Sequence, residues 1–238
     1  MIITADINKR FGTLQALCGI SLQFSRGECI ALLGPNGSGK TTLIKSILGM
    51  VVPDSGTLHF DGENIKGKWL YREQIGYMPQ IGRYPENMTI AQVMHMMKDL
   101  RKSPDKQLDE ELIERFGLNS LLNKKMRTLS GGTTQKVSAS LAFLFNPSVL
   151  ILDEPTAGLD PLSSEVLKQK ILKEKQKGKL VIITSHVLSE LDDLVSQVAY
   201  MQEGSLVFHK TLSSLKEETG QRKLSAAITR IMKLQHYE

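Results

Sequence analysis

The sequence predicts an α/β fold with a mainly parallel sheet, an antiparallel β subdomain and an α-helical insertion. Short, continuously apolar runs at 29–33, 149–152 and 180–184 have the length and composition of strands buried on both faces. Segments with apolar residues three and four apart lie between them, and strands alternating with helices argue for parallel pairing under helical cover. The first third differs: it carries a strand apolar on one face only and a hairpin turn, both antiparallel signals.

Taken in order, the chain opens with strand signals at 2–7 and 19–24. In the second, Ile20, Leu22 and Phe24 alternate with polar residues, as on a half-exposed strand. Arg26-Gly27-Glu28 supplies the turn into the buried run 29–33. Beyond residue 40 the spacing becomes helical, with Leu43, Ile47 and Leu48 on one face and Gly49 as the stop. Thr57-Leu58-His59-Phe60 followed by Asp61-Gly62 reads as a strand and its turn. From about 86 to 145 the reading is helical. Ile90, Val93, Met94, Met97 and Leu100 form one apolar face, the polar loop Ser103-Pro104-Asp105 interrupts it, and Leu112, Ile113 and Phe116 continue it. After the strand at 149–152 come a helix over 161–177, the strand at 180–184 and a helix around 187–194. Strands near 195–201 and 205–209 follow, joined by Glu203-Gly204. The domain expected is 1–215, with 216–238 as a helical tail.

Composition narrows the class. With 238 residues, 41% apolar and 23% charged, the chain is long enough for a real core, mostly aliphatic because aromatics are only 5%. The longest nearly apolar stretch, 137–145, is about half of what a membrane span needs. The N-terminus lacks the regions of a secretory signal, and Cys18 and Cys29 are too few for a metal cluster or a disulfide framework. The expectation is a soluble cytoplasmic protein. A net charge of +5 invites a polyanion reading. Lys168, Lys170, Lys173, Lys175, Lys177 and Lys179, however, share their stretch with Glu165 and Glu174, and no aromatics interleave with them or with Lys216, Arg222, Lys223, Arg230 and Lys233. Solvated helix faces are therefore expected, ahead of a nucleic-acid or anionic membrane surface.

The chemistry concentrates at Gly34-Pro35-Asn36-Gly37-Ser38-Gly39-Lys40-Thr41-Thr42, which fits G-x-x-x-x-G-K-[ST] between an apolar strand and a helix. Glycines let the backbone curl so that successive N–H groups face phosphate oxygens, and the helix start adds its positive dipole. Lys40 would reach the β- and γ-phosphates and the Thr41 hydroxyl would ligate Mg²⁺. This makes the core a P-loop NTPase. The strand at 149–152 ends in Asp153 and Glu154, placed to hold Mg²⁺ through water and to orient or deprotonate an attacking water, respectively. Leu129-Ser130-Gly131-Gly132 opens a further helix with Ser130 as N-cap. It is a second anion-facing start without a lysine or metal ligand, half a site that would complete one on another chain.

On these residues the chain, to about 215, resembles the ATP-binding cassette subunit of ABC transporters. Met78-Pro79-Gln80 matches the glutamine loop, 129–132 the signature, Asp153-Glu154 the Walker B pair, Ala157-Gly158-Leu159-Asp160 the D-loop and Thr184-Ser185-His186 the switch histidine. The resemblance implies ATP and Mg²⁺, with Gln80 joining Thr41 and Asp153 at the metal and Glu154 and His186 as the catalytic pair. Phe11 stands where the family stacks an aromatic on adenine, a core role being the alternative. The resemblance further implies a head-to-tail dimer with a second copy, Ser130, Gly131, Gly132 and Asp160 belonging to the nucleotide sandwich. It also implies an integral-membrane permease partner, a peripheral position on the inner face of the cell membrane, and no nucleic acid. One departure stands out: the family commonly has glutamine after the signature glycines, whereas Thr133-Thr134-Gln135 follow here, which touches turnover and leaves ATP binding alone.

Other readings remain. A cassette ATPase acting on nucleic acid or ribosomes usually carries two cassettes or a coiled-coil insertion, and a P-loop kinase does not explain Ser130-Gly131-Gly132. His59, His95, His209 and His236 lack ligand-spaced partners, and Met94-His95-Met96-Met97 reads as core packing ahead of a copper site. Segments 153–161 and 184–191 look like the ATPases of two-component exporters. Segment 75–88, with Tyr84-Pro85-Glu86-Asn87, resembles subunits assigned to copper-site maturation of nitrous oxide reductase. The permease is expected after Gln80, on Ile81, Tyr84 and Met88; the transported substrate touches the permease and is not legible here.

Overall fold

The computed structural model describes residues 1–101 and 108–235, with side chains up to 233. The Ser103-Pro104-Asp105 loop and His236 lie outside the described residues. In chain order the elements are β1 (Ile2–Phe11), β2 (Leu14–Phe24), β3 (Cys29–Leu33), α1 (Lys40–Ile47), β4 (Ser55–Phe60), β5 (Glu63–Asn64), β6 (Ile75–Met78), α2 (Ile90–Arg101), α3 (Glu111–Arg115), α4 (Gly131–Phe143), β7 (Val149–Asp153), α5 (Pro161–Gln176), β8 (Leu180–Thr184), β9 (Gln197–Gln202), β10 (Ser205–Thr211), α6 (Leu212–Thr219) and α7 (Leu224–Gln235). They fall into two units, Met1–Tyr71 with the chain from Leu180 onward, and Arg72–Lys179.

In the first unit β1 pairs antiparallel with β2 and β4, and β4 with β5. The first two strands run further than the apolar pattern predicts, meeting in a tight connection at Gly12. Lys9 and Arg10 hide the alternation there, and a bulge at Asp6, whose φ is 51°, shifts its phase. The second sheet of this unit has β3 between β8 and β9, parallel to both, with β10 antiparallel to β9. All five residues of β3 are buried, as the unbroken apolar run predicts.

Residues 187–194, expected as a helix, make only a 3-10 turn at Leu188–Glu190 and further turns. The cause is tertiary: the Asp192 carboxylate caps α7 by accepting from the Leu224 N–H at 3.0 Å and pairs with Lys216 at 2.9 Å. Beyond β10, Leu215, Leu224, Ala227 and Ile228 are buried, and Gly220 in the left-handed region ends α6.

In the second unit β6 and β7 pair parallel, and α4 is buried continuously from Val137 to Phe143. On α2 the predicted apolar face holds at Ile90, Val93 and Met94 and fails at Leu100, which is 70% exposed. Arg101 takes over that turn, donating to the Glu73 and Ile75 carbonyls while its guanidinium lies 4.7 Å from the Phe145 ring centroid.

The lysine run of α5 also departs from expectation. Lys170 is buried, not solvated, and its ammonium is shared by Asp109, Glu111 at 2.9 Å and Glu174 at 3.0 Å. Three carboxylates from two segments make that burial tolerable. Hydrogen bonds from Lys173 and then Lys170, against a partial opposing effect of burial, hold Glu111 at about 2, below its ordinary 4.5. A depressed carboxyl contributes stability that is full above 4.5 and lost as pH falls through 2. Glu111→Gln should therefore flatten the fall in melting temperature across that window, measured by circular dichroism at each pH.

Candidate functional site

The phosphate loop stands in the first unit, between the end of β3 and the start of α1. Gly39 is the N-cap of α1 at φ 97°, and a Cβ there would lie 2.5 Å from the Ala16 carbonyl oxygen. With glycine at the cap and no acid following it, the first turn of α1 carries no counter-charge of its own against the positive helix end. The Lys40 ammonium curls over the loop and donates to the carbonyls of Gly34 at 2.8 Å and Pro35 at 2.9 Å and to the Ser38 hydroxyl at 3.3 Å. Ser38 is buried and its carbonyl accepts from Gly204 N–H, whereas Pro35, Asn36 and Gly37 are exposed. Thr41 is exposed and Thr42 half-buried, its carbonyl accepting from Ser46 Oγ at 2.8 Å.

β8 runs parallel beside β3 with Ala31 opposite Ile183, so Gly34 and His186 leave the sheet from the same edge. His186 is exposed, two residues beyond the end of β8. Phe11, at the end of β1, is 48% exposed with the Lys9 ammonium 5.3 Å from its ring centroid, a surface ring and not a core one.

The second unit holds the acids. Asp153 ends β7 and is 8% exposed. Burial, and then the Asp153 charge, push the Tyr77 phenol on β6 up to about 12. Glu154 follows, half-buried, at φ 50°, with its carbonyl accepting from Ala157 N–H at 3.1 Å and from Gln135 Nε2 at 3.3 Å. Met78 opposes Leu152 in the parallel β6–β7 pair, so exposed Gln80 leaves at the same edge as Asp153. Asp160 is the N-cap of α5, accepting from Ser163 N–H at 2.9 Å and Ser163 Oγ at 2.7 Å, and it pairs with Lys136 at 2.8 Å. Lys136 and then Ser163 hold its carboxyl well below the usual range.

Ser130 caps α4 as the sequence suggests, accepting from Thr133 N–H at 3.3 Å. The departure at Thr133 has a structural use: its hydroxyl shares a 2.9 Å hydrogen bond with Ser130 Oγ. Gly131 is exposed and Gly132 half-buried, and the first turn of α4 carries no acid.

Gly34 and His186 thus share one strand edge in the first unit, and Gln80 and Asp153 one in the second. Ser130 and Asp160 stand instead at the starts of α4 and α5, and Phe11 at the end of β1. Sequence reasoning missed Gln135, Lys136 and Tyr77, whose partners are remote in sequence. Met94 is buried and His95 exposed, so no shared ligand face forms. Among the described residues no group of three or more His, Cys, Asp or Glu is placed to hold a metal by itself.

Known proteins resemble this chain in sequence and in fold. The family described as "ABC transporter" matches residues 17–157. The Nod factor export ATP-binding protein I of Burkholderia lata is 32% identical over 203 residues, 84% of this chain and 67% of that protein. A solved ATP-binding subunit of an ABC transporter superposes with a TM-score of 0.89 at 25% identity, covering 98% of this chain and 99% of that one. An ATP-binding cassette solved as a post-hydrolysis dimer with ADP and Pi shares the fold, with a TM-score of 0.79 at 22% identity over 89% of this chain and 99% of that one.

Adding a methyl group at the α1 cap tests the loop geometry. Gly39→Ala should weaken binding of a fluorescent ATP analogue by about fivefold to a hundredfold, since strain of ~1–3 kcal/mol attends a side chain in such a conformation. The far-ultraviolet circular dichroism should stay that of the parent.

Proposed function

The chain belongs to the ABC transporter family as an ATP-binding subunit with ATPase activity, and from that premise we propose that it powers a membrane exporter as a head-to-tail dimer. The observation that carries the proposal is the loop Gly34 to Thr42, where the Lys40 ammonium folds over the loop at the glycine-capped start of α1. In this reading the loop amides and Lys40 bind the phosphates of ATP and Phe11 stacks on adenine. Glu154 orients the attacking water and His186 steadies the γ-phosphate. Ser130, Gly131 and Gly132 meet the nucleotide of the second copy, while Asp160 anchors the loop beside it.

Mg²⁺ suits the donors present. They are hard oxygens without a multi-carboxylate cage, and this ion typically binds through one or two carboxylates, waters and phosphates. The Thr41 hydroxyl, Gln80 amide oxygen and, through water, Asp153 would hold it, and it would neutralise charge on the β- and γ-phosphates. The dimer is supported by the dimeric cassette of like fold, and export by the similarity to a Nod factor export subunit. No helix among the described residues is long and apolar enough to cross a membrane. In the proposal the chain works at the inner face of the membrane by docking on a permease, as the similarity to an export ATP-binding protein suggests. Ile81, 69% exposed just past Gln80, and half-buried Tyr84 and Met88 form the proposed contact.

Glu154→Gln keeps size and removes the proton acceptor. Hydrolysis should fall by about 10²–10⁴ while ATP still binds. The protein should then elute as a dimer in size exclusion with ATP and as a monomer with ADP; near-parental hydrolysis would remove Glu154 from the mechanism. The docking surface is tested separately: Ile81→Asp with Met88→Asp should abolish co-purification of a polytopic membrane protein and leave ATP-analogue affinity intact. Unchanged co-purification would place the contact elsewhere.

A further inference from the structure

We propose that Gln135 is a positioning residue for hydrolysis, holding the turn that aims Glu154; the inference rests on the reading of Glu154 as the water-orienting acid. Glu154 is not glycine, yet it sits at φ 50°, in the left-handed region that side chains rarely adopt. Such a conformation persists where the surroundings over-determine it. The surroundings here are specific. The Glu154 carbonyl accepts from Ala157 N–H within its own turn and from Gln135 Nε2 at 3.3 Å, one turn into α4.

Gln135 is only 6% exposed. A buried carboxamide is costly unless its polar atoms are satisfied, and a methionine would fill the same space without that cost. Its donor is turned to the main chain of a single residue, the one whose backbone torsion sets where the acid points. Two more contacts hold the same loop against the same helix. Lys136 pairs with Asp160 at 2.8 Å, and Gly132 lies so close to the loop that a Cβ would stand 2.7 Å from the Gly158 carbonyl oxygen. The segment from Glu154 to Asp160 is thus fastened at its start, middle and end to the first two turns of α4. Freed of Gln135, the Glu154 peptide can relax toward an ordinary torsion, and the carboxylate swings with it. Nucleotide affinity, seated on the phosphate loop, has no such dependence. Because α4 starts at Ser130-Gly131-Gly132, the helix that would meet the partner's nucleotide also aims this chain's own acid.

The test uses the full chain with two variants, Gln135→Met, which keeps volume without a donor, and Gln135→Glu, which keeps shape and puts an acceptor there. Both should lower kcat about tenfold to a hundredfold, as misplacement of a catalytic group does. KM and the affinity for a fluorescent ATP analogue should stay within about twofold. Combined with Glu154→Gln, Gln135→Met should slow turnover no further, since both act through one carboxylate. Parental kcat in both variants overturns the proposal, as does a further loss in the double variant. Loss of analogue binding in both assigns Gln135 to packing and overturns it equally. If Glu154→Gln itself turns over at the parental rate, the reading of Glu154 fails and takes this inference with it. A slow Glu154→Gln beside parental Gln135 variants defeats the inference alone.

Discussion

The structure depends on holding an anion-binding loop still without spending side chains on it. Main-chain amides and a helix start can bind phosphate only if the backbone that carries them is fixed. β3 supplies that fixity: five buried residues, paired in parallel on both sides by β8 and β9, with the loop leaving its C-terminal edge. Ligands gather at the carboxyl ends of parallel strands because connections can reach out there over a rigid base. The same rule places His186 after β8, and in the second unit Gln80 after β6 and Asp153 at the end of β7.

Preorganisation extends to the charges. Lys40 is already steered by two carbonyls and a hydroxyl of its own loop, so a phosphate that draws its ammonium costs little further side-chain freedom. Glu154 is steered through its backbone, by a torsion that the chain would not choose alone. The two cases divide the work. In the proposed mechanism Lys40 and the loop amides serve affinity and the torsion at Glu154 serves turnover, so the residues that change one need not change the other.

Much of this was legible in the sequence because it is local. The strands at 29–33, 149–152 and 180–184, the phosphate loop and the Ser130 cap are set by neighbours a few residues away. What escaped is set by partners far along the chain. Lys170 reads as one solvated lysine among six until Asp109 and Glu111 are brought to it. Arg101 displaces Leu100 because Phe145 and two carbonyls lie within its reach. The helix expected at 187–194 shrinks to a 3-10 turn because Asp192 caps a helix that starts at Leu224. Gln135 has no periodicity or motif of its own to announce a buried donor.

The departure at Thr133 shows how local and distant constraints meet on one helix. A glutamine there would be a flexible polar arm at the start of α4; threonine instead closes a short hydrogen bond onto Ser130 and stiffens the cap. One turn later Gln135 binds the Glu154 carbonyl, and from Val137 the helix is buried. A helix packed through its buried half holds its first two turns in fixed relation, so the Ser130 cap and the Gln135 grip on Glu154 share one support. An exposed, anion-facing start and a buried grip on the acid are therefore two ends of one rigid element. In the proposed dimer this one helix would join contact with a second nucleotide to the aim of Glu154 without any contact between the two ligands.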